Sequence, residues 1–203
     1  MILEGIVTTL NDDATLNIAP MGPQVDPRAS LARFELRPFR SSTTYYNLKR
    51  RGEGVFHVTD DVLLLAQTAI GSSPEPAPVT RPADVVAGRI LLGSCRYYEF
   101  RVVELDDRDE RAKIVAETAA QGRLRDFIGF NRARHAVLEA AILATRTEIL
   151  PLDDMLADFR KLAKLVDKTG GPRERAAFTL LHRHVHDAAV RHGILPGQSQ
   201  PPS

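Results

Sequence analysis

The feature that most constrains this chain is a change of hydrophobic period near residue 130. Ahead of it, apolar runs are short, alternating or β-branched, and they are punctuated by Asn, Asp, Gly and Pro. Beyond it, apolar residues recur at intervals of three and four. Ala133, Ala136, Val137, Ala140, Ala141, Leu143 and Ala144 form one stripe. Leu152, Met155, Leu156, Phe159, Leu162, Ala163 and Val166 form a second, and Ala177, Leu180, Leu181, Val185, Ala188 and Ala189 a third. A period of two marks strands and a period of 3.6 marks helices. Strands gathered ahead of the long helices predict an α+β chain with a mainly β core, closed or sandwiched, and a helical appendage.

Residues 1–10 and 14–21 read as a hairpin about an Asn- and Asp-rich turn, and 31–39 and 54–59 as two further strands. A long pair follows, 89–106 and 111–122, joined by the charged turn 107–110. Short helices are predicted over 41–53 and 61–71, and loops over 24–30 and 72–84; the second loop, with Pro74, Pro76, Pro78 and Pro82, offers nothing to a core. Pro151 should end the first long helix and Asp153 or Asp154 cap the next, while Gly170-Gly171-Pro172 closes one helix and opens another. The expected division is a β domain over 1–128, a helical region over 129–195 and a tail over 196–203.

Composition excludes several functions. Lys and Arg number 27 against 26 Asp and Glu, a net charge of +1, and the charges are interleaved. That gives no electrostatic basis for a nucleic-acid or membrane partner. A lone cysteine, Cys95, allows no internal disulfide and suits a reducing compartment. The N-terminus lacks the basic segment and cleavage site of a signal peptide, and no apolar run has the length of a membrane span. A soluble cytoplasmic protein is expected. No G-x-G-x-x-G follows a strand, so a Rossmann dinucleotide site is not indicated.

Two stretches carry chemistry. In "LNIAPMGP" (16–23) a strand pattern meets Pro20, which removes a backbone donor, and Gly22, which removes a side chain. Proline belongs on edges and bulges, so this is either an ordinary edge strand or a bare backbone turned to a flat ligand, with Asn17 supplying an amide. In "RPFRSSTTYYN" (37–47) the hydroxyls of Ser41, Ser42, Thr43 and Thr44 crowd the start of a helix, flanked by Arg37 and Arg40. Such a helix start is a phosphate site by its dipole and free N–H groups, although Ser and Thr also cap ordinary helices.

Together with "VFHVTDD" and "GFNRARHAVLEAAILATR", these stretches resemble an uncharacterised, DUF447-like family of archaea and some bacteria. It belongs with the FMN-binding split-barrel flavoproteins, the superfamily of flavin reductases and pyridoxamine-phosphate oxidases. The resemblance covers about residues 1–150 and, more weakly, the helical tail. It implies a six-stranded split barrel, FMN as cofactor and a homodimer. Carried over by residue, Asn17, Ala19, Pro20 and Met21 would line the isoalloxazine, and Ser41, Ser42, Thr44 and Arg40 would hold the phosphate. Asn131 and Arg132 would reach the flavin or the neighbouring subunit, or else start a helix. His57 stands where Asn is commoner in relatives. The implied activity is an oxidoreductase passing electrons or hydride between FMN and a small donor or acceptor, NAD(P)H among the candidates. The alternative is a non-catalytic flavin-binding or assembly module with structural, storage or sensory FMN.

Other candidates are weaker. His182 and His186 lie one helical turn apart in a helix holding most of the chain's histidines, but the Glu of H-E-x-x-H is missing. His135 reads as a polar helix neighbour, Cys95 as a buried structural thiol, and "DDRDE" as a solvated turn.

Overall fold

The computed structural model describes residues 1–26 and 31–194. Most of the loop expected over 24–30, and the tail expected over 196–203, lie outside the described residues. The chain divides into two compact units, one of residues 1–60 and 75–127 and the other of 61–74 and 128 onward. The sequence division left 61–74 with the strands; the structure groups this segment with the helices.

The first unit is a barrel. Its strands are β1 (Gly5–Leu10), β2 (Leu16–Met21), β3 (Arg33–Leu36), β4 (Glu53–Val58), β5 (Thr80–Pro82), β6 (Arg89–Leu91), β7 (Arg96–Asp106) and β8 (Lys113–Arg123), with helix α1 (Thr43–Arg51) between β3 and β4. Six of them form one antiparallel sheet in the order β2-β1-β4-β7-β8-β3. The two ends of that order meet through Gln24, which bridges both Ile2 and Glu35. Its N–H donates to the Glu35 carbonyl at 2.8 Å, and the Glu35 N–H returns to the Gln24 carbonyl at 3.0 Å. Register shifts between Glu99 and Phe100 and between Val102 and Glu104 bend the long β7–β8 hairpin, as closure of a small sheet requires. The fold is the six-stranded split barrel expected, followed by helices.

Alternation along each strand decides what lies inside. Val7, Phe34, Leu36, Phe56, Phe100, Ile114 and Ala116 fill the interior, with the Phe34 and Phe100 rings edge-on at 5.4 Å. Each fully buried side chain of this size stabilises the fold by roughly 1.5–3 kcal/mol. The opposite face of β4 and β7 also packs a cluster, Val55 and Tyr97 against Val86 and Ile90. The run 89–106, expected as one strand, breaks at Leu92–Cys95. Its first part pairs with Thr80–Pro82 as a separate ribbon. The Pro-rich segment thus contributes to a core after all, because its second half folds over the outer face. Buried Glu99 fastens it there, accepting N–H bonds from Asp84, Val85 and Val86 at 2.8, 2.7 and 3.2 Å.

His57, fully buried on β4, is a second fastening. Its Nε2 accepts the Leu91 N–H at 3.0 Å, so the proton sits on Nδ1, 3.3 Å from the Ile6 carbonyl. One neutral imidazole thereby bridges β1 and β6.

The second unit contains α2 (Val62–Ala69), α3 (Arg132–Ala144), α4 (Leu152–Thr169) and α5 (Pro172–Arg191). The alanine stripe of α3 is buried, which brings helix backbones close, and Phe159 meets Phe178 at 5.4 Å. Asp61 caps α2 and Asn131 caps α3. Neither Asp153 nor Asp154 caps α4. Pro151 occupies that position, and the two carboxylates lie in the first turn, where they complement the helix dipole. Gly170 and Pro172 punctuate α4 and α5 as expected. Among the described residues, no helix is long and apolar enough to cross a membrane.

Burial lowers the His57 pKa from 6.5 to about 4. The folded state thus resists a proton that the unfolded chain accepts, so stability is complete above pH 6.5 and falls as pH drops from 6.5 toward 4. Urea unfolding should show a loss on the order of 3 kcal/mol across that window. His57→Gln should be less stable at pH 7 and lose this component of the pH slope; an unchanged slope would contradict the assignment.

Candidate functional site

The β1–β2 hairpin and α1 meet in a polar cluster. The hairpin register sets Asn17 opposite Thr9, Ala19 opposite Val7 and Met21 opposite Gly5. By the pleat, Asn17, Ala19 and Met21 share the inward face, and Pro20, opposite Ile6, takes the other. Asn17 donates to the hydroxyls of Thr9 and Thr44, both at 3.0 Å. Asn47 donates to Thr9 at 3.0 Å and to the Asn11 side chain at 2.8 Å. Arg50 closes the cluster on the Leu10 carbonyl at 2.8 Å. Thr9, Thr44 and Asn47 are buried, so these bonds replace lost hydration and tie both strands to the helix.

The start of α1 is a donor array. Ser42 is the N-cap: its hydroxyl accepts the Tyr45 N–H at 3.2 Å and donates to the Phe39 carbonyl at 2.7 Å. The Thr43 and Thr44 amides precede the first intrahelical bond. Arg40 and Ser41 are exposed beside them, and no acidic residue occupies the first turn. An array of hydroxyls, amides and a guanidinium without a competing carboxylate in that turn suits a phosphate monoester. Further along, Tyr45 and Lys49 hold Asp107 at 2.6 and 2.7 Å, so the turn 107–110 is anchored as well as solvated.

The structure brings Asn17 and Thr44 into contact and sets Arg40, Ser41 and Ser42 in one turn before α1. Pro20 lies on β2, at an end of the strand order, where its missing N–H costs no ladder bond. Gly22 is small for an internal reason, since a Cβ there would sit 2.6 Å from Ile2. Asn131 and Arg132 belong to the helical unit. The Asn131 side chain accepts the Ala133 and Arg134 N–H groups and donates to the Thr169 carbonyl, while Arg132 is exposed.

Sequence reasoning missed Thr9 and Asn47. Counting outward from the 11–15 turn would have paired Thr9 with Asn17; Asn47 gave no signal beyond its place on α1. It also missed a pocket of about 330 Å³ in the barrel unit, lined by Val58, Cys95, Phe127, Asp126 and three arginines, Arg96, Arg123 and Arg125. On the α5 helix, His182 packs on Phe159 and lies 6.4 Å from the His186 ring.

Fold and site together define a six-stranded split barrel with a polar clamp at the β1–β2–α1 junction. The chain belongs to the family described as "Protein of unknown function (DUF447)": the N-terminal model of that family matches residues 3–124 and its second model residues 131–183. The fold is similar to that of an FMN-bound protein of Methanosarcina mazei carrying the same family model. The TM-score is 0.76 at 22% identity, over 90% of this chain and 94% of that one. Shorter matches, at a TM-score of 0.49, include 2-nitrobenzoate 2-nitroreductase of Pseudomonas fluorescens, 16% identical over 59% of this chain and 64% of that one. A flavoredoxin of Methanosarcina acetivorans matches at the same TM-score, 13% identical over 60% of this chain and 68% of that one.

Removing the Asn17 side chain leaves buried Thr44 without its donor and takes from Thr9 one of two, Asn47 keeping the other. Asn17→Ala should cost about 1–3 kcal/mol in denaturant unfolding. A loss below about 0.3 kcal/mol would mean that the cluster does not clamp the hairpin to α1.

Proposed function

We propose that this chain is an FMN-binding oxidoreductase acting as a homodimer in the cytoplasm. The observation that carries this reading is the match of nearly the whole chain, barrel and helices alike, to a family member with FMN bound. The donor array at the start of α1 supports it, since free amides, hydroxyls and a guanidinium with no acid in the first turn suit an anion.

In this reading Ser41, Ser42, Thr44 and Arg40 hold the phosphate. Asn17, Ala19, Pro20 and Met21 present the unpaired backbone edge of β2 to the ring system. Pro20 then has a use beyond tolerance at an edge, because it keeps the strand from recruiting another in the cofactor's place. Asn17 acts at one remove, holding Thr44 and the edge in a fixed relation. Asn131 and Arg132, at the start of α3, are the remaining residues that the family resemblance assigns to the flavin or to a helix start. Bound FMN supplies the electron or hydride transfer, with a small partner such as NAD(P)H. The residues of the chain orient it and exclude water.

A test separates phosphate holding from capping. The double variant Ser42→Ala, Thr44→Ala should weaken FMN at least tenfold, since each lost charge-assisted bond is worth roughly 1.5–3 kcal/mol. Riboflavin, which lacks the phosphate, should bind within about twofold of its original affinity. Equal losses for both ligands would reduce the hydroxyls to a helix cap and a clamp.

A further inference from the structure

The pocket at the end of the β7–β8 hairpin is chemically unlike the rest of the barrel. Arg96 and Arg123 stand directly opposite each other in the antiparallel register, and both line it. Like charges directly opposite each other destabilise a sheet. Nearby carboxylates offset them only in part. Arg125 is committed elsewhere: it pairs with buried Asp60 and donates to the Gly93 and Asp126 carbonyls at 2.9 and 3.2 Å. Arg123 pairs with Asp126, an exposed carboxylate. Arg96 has no ion-pair partner among the described residues. The guanidinium of Arg96 is thus the one in this group that no carboxylate among the described residues pairs with. Burial raises the pKa of the Cys95 thiol, so it stays neutral and adds no compensating charge.

We propose that this pocket is a binding site for the phosphate group of a small phosphorylated molecule, held between Arg96 and Arg123. A dianion relieves the repulsion between the two arginines, and two opposed guanidinia grip a tetrahedral group from both sides; a carboxylate is satisfied by one fork. The volume of about 330 Å³ exceeds what a bare ion needs, and half-exposed Phe127 provides an apolar wall for the rest of the molecule. Arg125, pinned by Asp60 and Gly93, is the fixed wall, and the other two arginines are the adjustable grip. The proposal is independent of the flavin reading, because none of these residues belongs to the α1 donor array.

The test is thermal unfolding of the full chain, saturated with FMN so that the α1 donor array is already filled, in inorganic phosphate against sodium chloride and sodium acetate of equal ionic strength. Phosphate at ten times its Kd should raise Tm by about 3–6 °C over chloride, and acetate should not. Arg96→Gln, Arg123→Gln should abolish the phosphate increment without lowering Tm in chloride, since the substitution removes a like-charge pair. A phosphate increment that persists in the double variant, or is absent from the parent, overturns the proposal. An equal rise in acetate overturns the assignment to phosphate. Flavin content is measured on the same preparations. If the double variant loses bound flavin together with the increment, the pocket belongs to the flavin cradle and the separate site is overturned.

Discussion

Closure of the sheet at Gln24 is the constraint on which the barrel depends. After β2 the chain passes Gly22 and Pro23, and Gln24 then bonds to Glu35 of β3 while also bridging Ile2. Without this step β2 and β3 would be two open edges, and the interior packing of Phe34, Phe56 and Phe100 would lose a side. The closure is partial: it uses the residue beyond β2 and, among the described residues, leaves Leu16–Met21 unpaired on one side. Proline at position 20 suits that arrangement because a free edge needs no donor and must not attract another strand. A barrel closed at one end and open along one strand is what gives the polar junction of β1, β2 and α1 its place.

Much of this was legible in the sequence because it rests on local periodicity. The order of the six main strands' segments, the alanine face of α3 and the punctuation at Gly170 and Pro172 all follow from spacing and from the backbone limits of Gly and Pro. The break between β6 and β7 was not legible. "RILLGSC" has the composition of a strand, and only the outer-face packing of Ile90 and Val86 shows that it belongs to a separate ribbon. The grouping of α2 with the C-terminal helices was hidden for the same reason, since it depends on contacts distant in sequence.

The candidate site divides along the same line. Ser42 as N-cap and the hydroxyl cluster before α1 could be read from adjacent residues. Asn17 and Thr44 lie in the two stretches whose sequence suits a ligand, and in the structure they hold each other, with Thr9 and Asn47 completing the clamp. Ligand holding and structural clamping are compatible here, because a cradle must be rigid before it can be selective. The Arg96–Arg123 pair could not be read at all: the residues lie on different strands, and only the register across β7 and β8 sets them face to face.

The central claim is that the barrel carries FMN. The direct measurement is the visible absorption spectrum of freshly purified protein, with the released chromophore identified by mass. The account predicts flavin bands and the mass of FMN. A colourless protein that also fails to take up FMN at micromolar concentration would contradict it, leaving Pro20 an edge-strand proline and the α1 hydroxyls a cap.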